Sequence, residues 1–389
     1  MTGLFPLTDA DGDAVSITST SGAVGLSIVG VSGNSVNFTP LSNFTGAASF
    51  NYPVSDGFGG TASGTVTMAI TSGTPQLAST RLNGLLRNAA GEPVGIVTTT
   101  RTSTGAYSAS VKIGSVTKAV RFTLGQSGTV TVATAFGPFT AVFNPAEPSR
   151  LQVSIARSLG GPVSGTLRHA ALGATQGMFR VALASIDRVN VPGGGLLQCS
   201  LLSNGRITYS MTLPDARVVS GKSDVADNGT FVIYSSVART APLAYVAGEF
   251  NLADLSATDV TGEVAWKMPL QTAAGLHASG VNTVLTANGC LFETGHTLPN
   301  GSVYLTIAGG NQPADVTVAT TATAGRVVLP APGVTSWTAL SNGTFTAKIT
   351  HPLFTAPIVA KGIYMPKSNT AWGVFSGTTI GGRIEVMQP

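Results

Sequence analysis

Residues 196–213 read Leu-Leu-Gln-Cys-Ser-Leu-Leu-Ser-Asn-Gly-Arg-Ile-Thr-Tyr-Ser-Met-Thr-Leu, and this kind of pattern recurs along most of the chain. In the second half of the stretch, bulky apolar residues alternate with Thr and Ser, which places them on one face of a β-strand. Asn204-Gly205 separates the two halves and tolerates the positive φ angles of a tight hairpin turn. The stretch therefore predicts a two-stranded ribbon with one apolar face, which must pack on other strands to be stable. The bulky residues are Ile207, Tyr209, Met211 and Leu213.

The composition extends this prediction to all 389 residues. Charged residues make up only 10% of the chain and hydrophobic residues 43%, and the 48 glycines and 21 prolines interrupt any long helical pattern. Thr, Ser, Gly and Asn take the place of the long charged side chains that cover exposed helices, which favours strands and turns. We therefore predict an all-β protein.

The distribution of charge argues against a nucleic-acid partner. Residues 1–80 contain no Lys or Arg, and the 21 basic residues of the remaining chain are scattered singly. Nucleic-acid-binding proteins concentrate their basic residues on one face or along one element. We expect no binding to DNA or RNA.

Residues 1–72 contain short strand patterns separated by turn residues, which is typical of a β-sandwich. Three motifs are more specific: residues 8–13 (Thr-Asp-Ala-Asp-Gly-Asp), residues 36–40 (Val-Asn-Phe-Thr-Pro) and residues 50–62 (Phe-Asn-Tyr-Pro-Val-Ser-Asp-Gly-Phe-Gly-Gly-Thr-Ala). They resemble the immunoglobulin-like, cadherin-like repeats that occur in tandem on large bacterial surface proteins. The resemblance implies an Ig-like sandwich. Such repeats begin with an additional strand, for which only Met1–Leu7 is available, so we expect a truncated sandwich.

The remaining chain predicts barrels. After a segment of linker composition at residues 73–80, strands alternate with Gly or Asn-Gly turns, and we divide this region into a β-barrel repeat domain at 81–290 and a second barrel-like domain at 291–389. Residues 342–345 repeat the Asn-Gly-Thr-Phe of residues 228–231, which indicates duplicated antiparallel meanders that close into barrels and so remove exposed edges. The Gly-rich pattern resembles the β-barrel repeats of surface proteins from Verrucomicrobia-type bacteria, a family that implies no biochemical activity.

The strongest candidate site is a set of four carboxylates. Asp9, Asp11 and Asp13 occupy alternate positions around Gly12, and Asp56 lies in the closing motif of the Ig-like pattern. Carboxylate oxygens are the ligands that calcium prefers, so these residues predict a calcium site, although the spacing is not that of an EF-hand. The alternative is that the carboxylates cap backbone N–H groups of local turns.

Other residues with chemical potential form no recognisable constellation. The four histidines are dispersed, and no nucleophile elbow or phosphate-binding loop is present. Cys199 falls on an apolar strand face and predicts a buried free thiol, with a bridge to Cys290 open only if their strands adjoin. The tryptophans favour barrel core over sugar stacking. They are Trp266, Trp337 and Trp372.

These observations favour a non-enzymatic structural or adhesion protein that acts as a modular spacer. A carbohydrate-binding module array and a glycosidase are the alternatives: the first requires an exposed row of aromatic residues and the second two carboxylates in a cleft. The first residues do not have the pattern that we expect of a signal peptide, and no apolar run is long enough for a membrane-spanning helix. We expect a fragment of an exported chain, located extracellularly or at the cell surface, with other surface modules or surface glycans as partners.

Overall fold

The computed structural model describes residues 2–4, 7–41, 44, 46–70, 81–102, 104–125, 127–144, 146–170, 176–236, 244–271, 274–329, 331 and 333–389. These residues form strands and turns and no α-helix, as the composition predicts. No helix among them is long and apolar enough to cross a membrane. The chain separates into two compact units, Met1–Thr74 and Pro75–Pro389. The linker predicted at 73–80 lies outside the described residues.

The first unit is an Ig-like arrangement of two sheets. One sheet has the order β1-β5-β4, and in the other β6 pairs with β2, β3 and β7. Apolar side chains from both sheets form the core, among them Val36, Phe38 and Phe50. The strands are β1 (Thr2–Leu4), β2 (Ser16–Ile17), β3 (Ser21–Val24), β4 (Leu26–Ser32), β5 (Ser35–Pro40), β6 (Gly46–Ser55) and β7 (Thr61–Ile70).

The second unit begins with an eight-stranded antiparallel sheet, here called barrel 1. Its strand order is β11-β10-β9-β8-β15-β14-β13-β12, so the first and last strands pair and the sheet is nearly closed, with a seam between β11 and β12. The strands are β8 (Arg81–Arg87), β9 (Pro93–Arg101), β10 (Ala106–Ile113), β11 (Val116–Thr123), β12 (Thr129–Val132), β13 (Phe139–Phe143), β14 (Arg150–Ile155) and β15 (Val163–His169).

Barrel 2 has the same topology. Its order is β19-β18-β17-β16-β23-β22-β21-β20, and β16 pairs with β23. The strands are β16 (Gly177–Ser185), β17 (Gly194–Leu201), β18 (Arg206–Thr212), β19 (Val218–Asp224), β20 (Thr230–Ser236), β21 (Tyr245–Leu252), β22 (Val260–Met268) and β23 (Val281–Phe292).

Barrel 3 also joins its first strand to its last. Its order is β26-β25-β24-β31-β30-β29-β28-β27. The strands are β24 (Gly301–Gly309), β25 (Val316–Thr323), β26 (Arg326–Val327), β27 (Val334–Ala339), β28 (Thr344–Ile349), β29 (Ile358–Met365), β30 (Thr370–Ser376) and β31 (Gly381–Met387). Both Asn-Gly-Thr-Phe repeats precede the fifth strand of their barrel, where Asn228 Oδ1 and Asn342 Oδ1 accept the Oγ1–H of the following Thr at 2.8 and 2.7 Å.

Residues 81–290, which the sequence analysis treats as one repeat region, therefore contain barrel 1 and nearly all of barrel 2. Strand and turn patterns do not reveal which strand returns to pair with the first, so the sequence does not mark where one barrel ends. The division into domains at 81–290 and 291–389 stays a prediction.

The hairpin predicted at 196–213 is formed by β17 and β18, with Cys199 opposite Tyr209 in the register. Only Gly205 has the positive φ that we expected of the Asn-Gly pair, at 74°. Asn204 instead caps the turn, because its Oδ1 accepts the N–H of Arg206 at 3.1 Å. The alternation places Leu197, Cys199, Tyr209 and other apolar side chains in the interior of barrel 2.

One aromatic residue inside barrel 1 carries an unsatisfied polar group. Tyr107 is 2% exposed, stacks on Phe122 with ring centroids 4.9 Å apart, and its hydroxyl has no hydrogen-bond partner among the described residues. In barrel 3, by contrast, the hydroxyl of buried Tyr364 donates to Asn369 Oδ1 at 3.0 Å.

We predict opposite effects for the same substitution at these two tyrosines. Tyr107→Phe should raise the free energy of unfolding by about 1 kcal/mol, because it removes a buried polar group that lacks a partner. Tyr364→Phe should lower it by about 1 kcal/mol, because it removes a hydrogen bond. Urea denaturation followed by circular dichroism measures both. A loss of stability in Tyr107→Phe would show that its hydroxyl is satisfied.

Candidate functional site

Asp56 organises the tight turn between β6 and β7. Its Oδ1 accepts the N–H groups of Phe58 at 2.7 Å and Gly60 at 3.0 Å, and Oδ2 accepts Gly60 at 3.1 Å. The Ser55 hydroxyl accepts the N–H of Gly57 at 3.1 Å. A side chain at position 60 would collide with the Asp56 carboxylate, since a Cβ there would lie 2.1 Å from Oδ2. The carboxylate is therefore engaged in holding the turn.

The other three predicted ligands precede β2. Asp9 Oδ1 accepts the N–H of Asp11 at 2.9 Å, while Asp11 and Asp13 are exposed. Ser16 pairs with Ser55, so this turn and the Asp56 turn lie at the same end of the first unit. Within the described ranges, however, no three His, Cys, Asp or Glu residues come close enough to hold a metal ion. The capping bonds account for Asp9 and Asp56, and calcium binding stays a prediction.

The tryptophans and cysteines lie in the core. Trp266, Trp337 and Trp372 are 0%, 6% and 5% exposed, so they do not form the exposed aromatic row that sugar stacking requires. Both cysteines are buried and free, as predicted for Cys199. Cys199 faces the interior of barrel 2, where burial raises the pKa of its thiol to about 12, whereas Cys290 packs outside the barrel against Trp372.

The residues that sequence reasoning missed lie where barrels meet. Outward-facing apolar side chains of β8 in barrel 1 and of β20 and β21 in barrel 2 form one buried cluster, which holds the two barrels together. In each of these strands the alternate side chains fill the barrel interior, so both faces of the strand are apolar at this point. The cluster contains Leu85, Val232, Tyr234, Tyr245 and Ala247.

Asp224 is the charged centre of this junction. Arg81 of barrel 1 contacts its carboxylate at 3.1 Å and Arg206 of barrel 2 at 3.8 Å, while Asn83 Nδ2 donates to its backbone carbonyl at 2.9 Å. Burial raises the pKa of Asp224, and the two arginines oppose that rise. The side chains of Arg81 and Asp224 are 16% and 13% exposed, so this pair is partly shielded from screening by solvent.

Two further ion pairs cross the same junction at its exposed margins. Lys267 Nζ lies 3.3 Å from Glu92 Oε1, and Arg87 lies 3.6 Å from Glu249. Hydrogen bonds from Asn88 and then from Lys267 lower the pKa of Glu92. Exposed pairs of this kind contribute little stability, but they fix the register of the two barrels.

Open spaces remain on both sides of the apolar contact. A cavity of about 520 Å³ is lined mainly by apolar groups, including Val94, Met268 and Leu270. Two further cavities, of about 330 and 420 Å³, are adjacent to each other because both are lined by Leu85, Arg87 and Glu249. Together they form a cleft between barrels 1 and 2, and its polar and charged wall is that of the cavity of about 330 Å³.

The junction between barrels 2 and 3 is also apolar at its centre. Trp372 packs on an apolar cluster that includes Leu196, and its Nε1–H donates to the carbonyl of Gly195 at 3.2 Å. Lys367 of barrel 3 contacts Asp254 and, at 2.6 Å, Asp259 of barrel 2. Hydrogen bonds from Lys367 to Asp254 and Asp259 raise the pKa of the lysine, so it is held as a cation.

His277 forms a third contact between these barrels. Its ring Nε2 accepts the N–H of Gly381 at 3.2 Å, its backbone N–H donates to the carbonyl of Thr379 at 2.6 Å, and its ring meets Trp266 edge-on at 5.2 Å. Nε2 of the imidazole therefore carries no proton. Burial lowers the pKa of His277, and the charge of Asp215 opposes that effect.

We predict that the caps of the Asp56 turn stabilise it whether or not calcium is present. Asp56→Ala should accelerate amide hydrogen exchange in peptides covering residues 46–70, equivalent to about 1–2 kcal/mol of local stability, in calcium and in chelator alike. Asp13→Ala, which removes an exposed carboxylate, is the matched control. Protection by calcium that disappears in Asp13→Ala would instead establish the predicted metal site.

We predict a pH dependence that arises from His277. Since its pKa is lower in the folded chain than the ordinary value of 6.5, the unfolded chain binds more protons below that pH, and the free energy of unfolding should fall as the solution becomes acidic. Tryptophan fluorescence in urea, measured between neutral and mildly acidic pH, should give a flatter profile for His277→Gln. Identical slopes for the two proteins would contradict this assignment.

The comparisons with known proteins bear on the first unit. No curated protein matches the chain. Solved structures with some likeness include a double mutant of transferrin binding protein B from Haemophilus parasuis Hp5, at 10% identity and a TM-score of 0.22, covering 88% of this chain and 83% of that one. A triple mutant of AofleA from Arthrobotrys oligospora aligns at 8% identity and a TM-score of 0.16, covering 96% and 90%. TM-scores this low assign neither a fold family nor a function to this chain. Residues 4–69 match the family model described as the bacterial Ig domain.

Proposed function

We propose that this chain is a non-enzymatic structural and adhesive segment of a bacterial cell-surface or secreted protein. The match to the bacterial Ig domain at residues 4–69 and the all-β fold support a surface structural protein. The observation that carries the proposal is the series of three barrels of one topology, joined end to end in sequence through buried junctions. A chain that spaces binding surfaces away from a cell needs modules of this kind.

The junctions suit a stiff spacer. Inter-domain contacts that are small and polar allow relative motion, whereas apolar contacts restrict it. Both junctions combine a buried apolar cluster with charged pairs, and Trp372 adds a directional hydrogen bond across the second one. Barrels 1, 2 and 3 therefore act as one stiff body in this proposal.

Adhesion, calcium and location are the finer parts of the proposal. The partners would be other surface modules or surface glycans, and calcium would act at the Asp-rich end of the first unit. An extracellular location accords with the Ig-like match, since tandem modules of this type occur on exported chains.

The glycosidase alternative has one observation in its favour. Glu249 and Glu263 lie opposite each other in the pairing of β21 and β22, and both line the cavity of about 420 Å³. A glycosidase needs two carboxylates that converge in a cleft. Glu249 is, however, paired with Arg87, which favours a structural role.

Labelling of intact cells tests the proposed location and class. Antibodies against the recombinant chain should label intact cells of the source bacterium, or detect the protein in the culture medium, without permeabilisation. Labelling only after lysis would overturn the proposal. In parallel, incubation with glycans should release no reducing ends; hydrolysis that is abolished by Glu263→Gln would establish the enzyme alternative.

A further inference from the structure

The cleft between barrels 1 and 2 contains an arginine that the fold itself does not use. Arg168 lies on the outer face of β15 and is half-buried, and its side chain makes no hydrogen bond or ion pair with any residue that the structure describes. It lines the cavity of about 330 Å³. A guanidinium group usually satisfies several of its five donors when it is partly removed from water.

The sheet places a second arginine directly beside Arg168. Arg150 of β14 is opposite Arg168 in the antiparallel register, and both side chains point outward. Arg150 is bonded to Glu147 at 2.8 Å, so within the described residues this carboxylate neutralises Arg150 and forms no ion pair with Arg168. Like charges directly opposite each other on a sheet are unfavourable. An anion bound at Arg168 would relieve this repulsion and would gain charge-assisted hydrogen bonds.

The other walls of the cavity are suited to hydroxyl groups. Gln152 and Thr166 lie next to Arg168 on the same sheet face and are bonded to each other, Thr166 Oγ1 donating to Gln152 Oε1 at 2.9 Å. Thr230 and Glu249 face them from barrel 2. These amide, hydroxyl and carboxylate groups can donate to and accept from a polyhydroxylated ligand.

The cavity continues along the junction. The neighbouring cavity of about 420 Å³ shares Leu85, Arg87 and Glu249 with it, and its walls add Glu263 and Pro93. A groove of this form accommodates several linked units of an extended ligand rather than a single small anion.

We propose that this groove binds an oligosaccharide that carries single uronic acid residues on a chain of neutral sugars, with the sugar carboxylate on Arg168 and sugar hydroxyls on Gln152, Thr166 and Glu249. The inference deepens the proposed adhesive function, because it specifies which surface glycan the chain recognises. An acidic peptide would also satisfy Arg168. The carboxylate of Glu249 in the same cavity disfavours a uniformly anionic ligand, but it accepts hydrogen bonds from sugar hydroxyls.

Calorimetric titration of the full chain with a glucuronoxylan oligosaccharide, which carries one glucuronic acid on neutral xylose units, tests the proposal. The acidic oligosaccharide should bind, whereas its methyl-esterified form, which has the same sugars without the charge, should bind at least about tenfold more weakly. Arg168→Gln should weaken binding of the acidic form at least about tenfold and leave the weak binding of the ester unchanged. Affinity should also fall as salt is raised.

Arg121→Gln is the matched control, since it removes the same charge from an exposed position on β11, outside the cleft. It should bind like the unmodified chain. Thermal unfolding of both variants shows that they are folded. Equal binding by Arg168→Gln and Arg121→Gln, or no binding of the glucuronoxylan oligosaccharide, overturns the proposal, as does Arg168-dependent binding of polyglutamate alone. Any of these results leaves the proposed surface location, which the labelling experiment decides, unaffected.

Discussion

Pairing of the first strand of each barrel with its last is the interaction on which the second unit depends. An open eight-stranded sheet would present two long edges of unpaired N–H and C=O groups, which would pair with other chains. In barrel 2, β16 joins β23 along eight successive residue pairs, from Met178–Phe292 to Ser185–Leu285. This near-closure turns the alternating pattern into an interior and an exterior, so one face of every strand becomes core.

Closure explains why the chain needs so few charged residues to keep its apolar side chains away from water. The interior of barrel 2 is filled by Trp266, Phe231, Phe250 and Tyr209 together with aliphatic side chains. The outer faces carry Thr and Ser at the positions exposed to water, and cross-strand hydroxyl pairs such as Thr306–Thr317 satisfy one another at 3.0 Å. Where an outer face is apolar instead, as at Leu85 and Tyr245, the strand meets another barrel.

Several ion pairs position one barrel against another. Asp224 and Lys367 each contact two oppositely charged groups, and in both cases the pairs connect strands from different barrels or flank such a contact. Arg168 also lies at a junction, but its guanidinium forms no ion pair with the residues that the structure describes.

The sequence by itself determined the all-β class, the Ig-like first unit and the inward direction of side chains such as Cys199 and Tyr209, because alternation and turn residues act over a few neighbouring positions. The sequence also allowed the prediction that Asp56 caps backbone N–H groups of its own turn, because an Asx turn involves only neighbouring residues. Only the tertiary structure decided which strands close each barrel and where barrel 1 ends. It alone also placed Arg168 beside Arg150 and in one cavity with Gln152 and Glu249. Every strand carries the same two-residue period, so the pattern cannot select a partner, and the groups that meet at the junctions are brought together by packing between segments far apart in the chain.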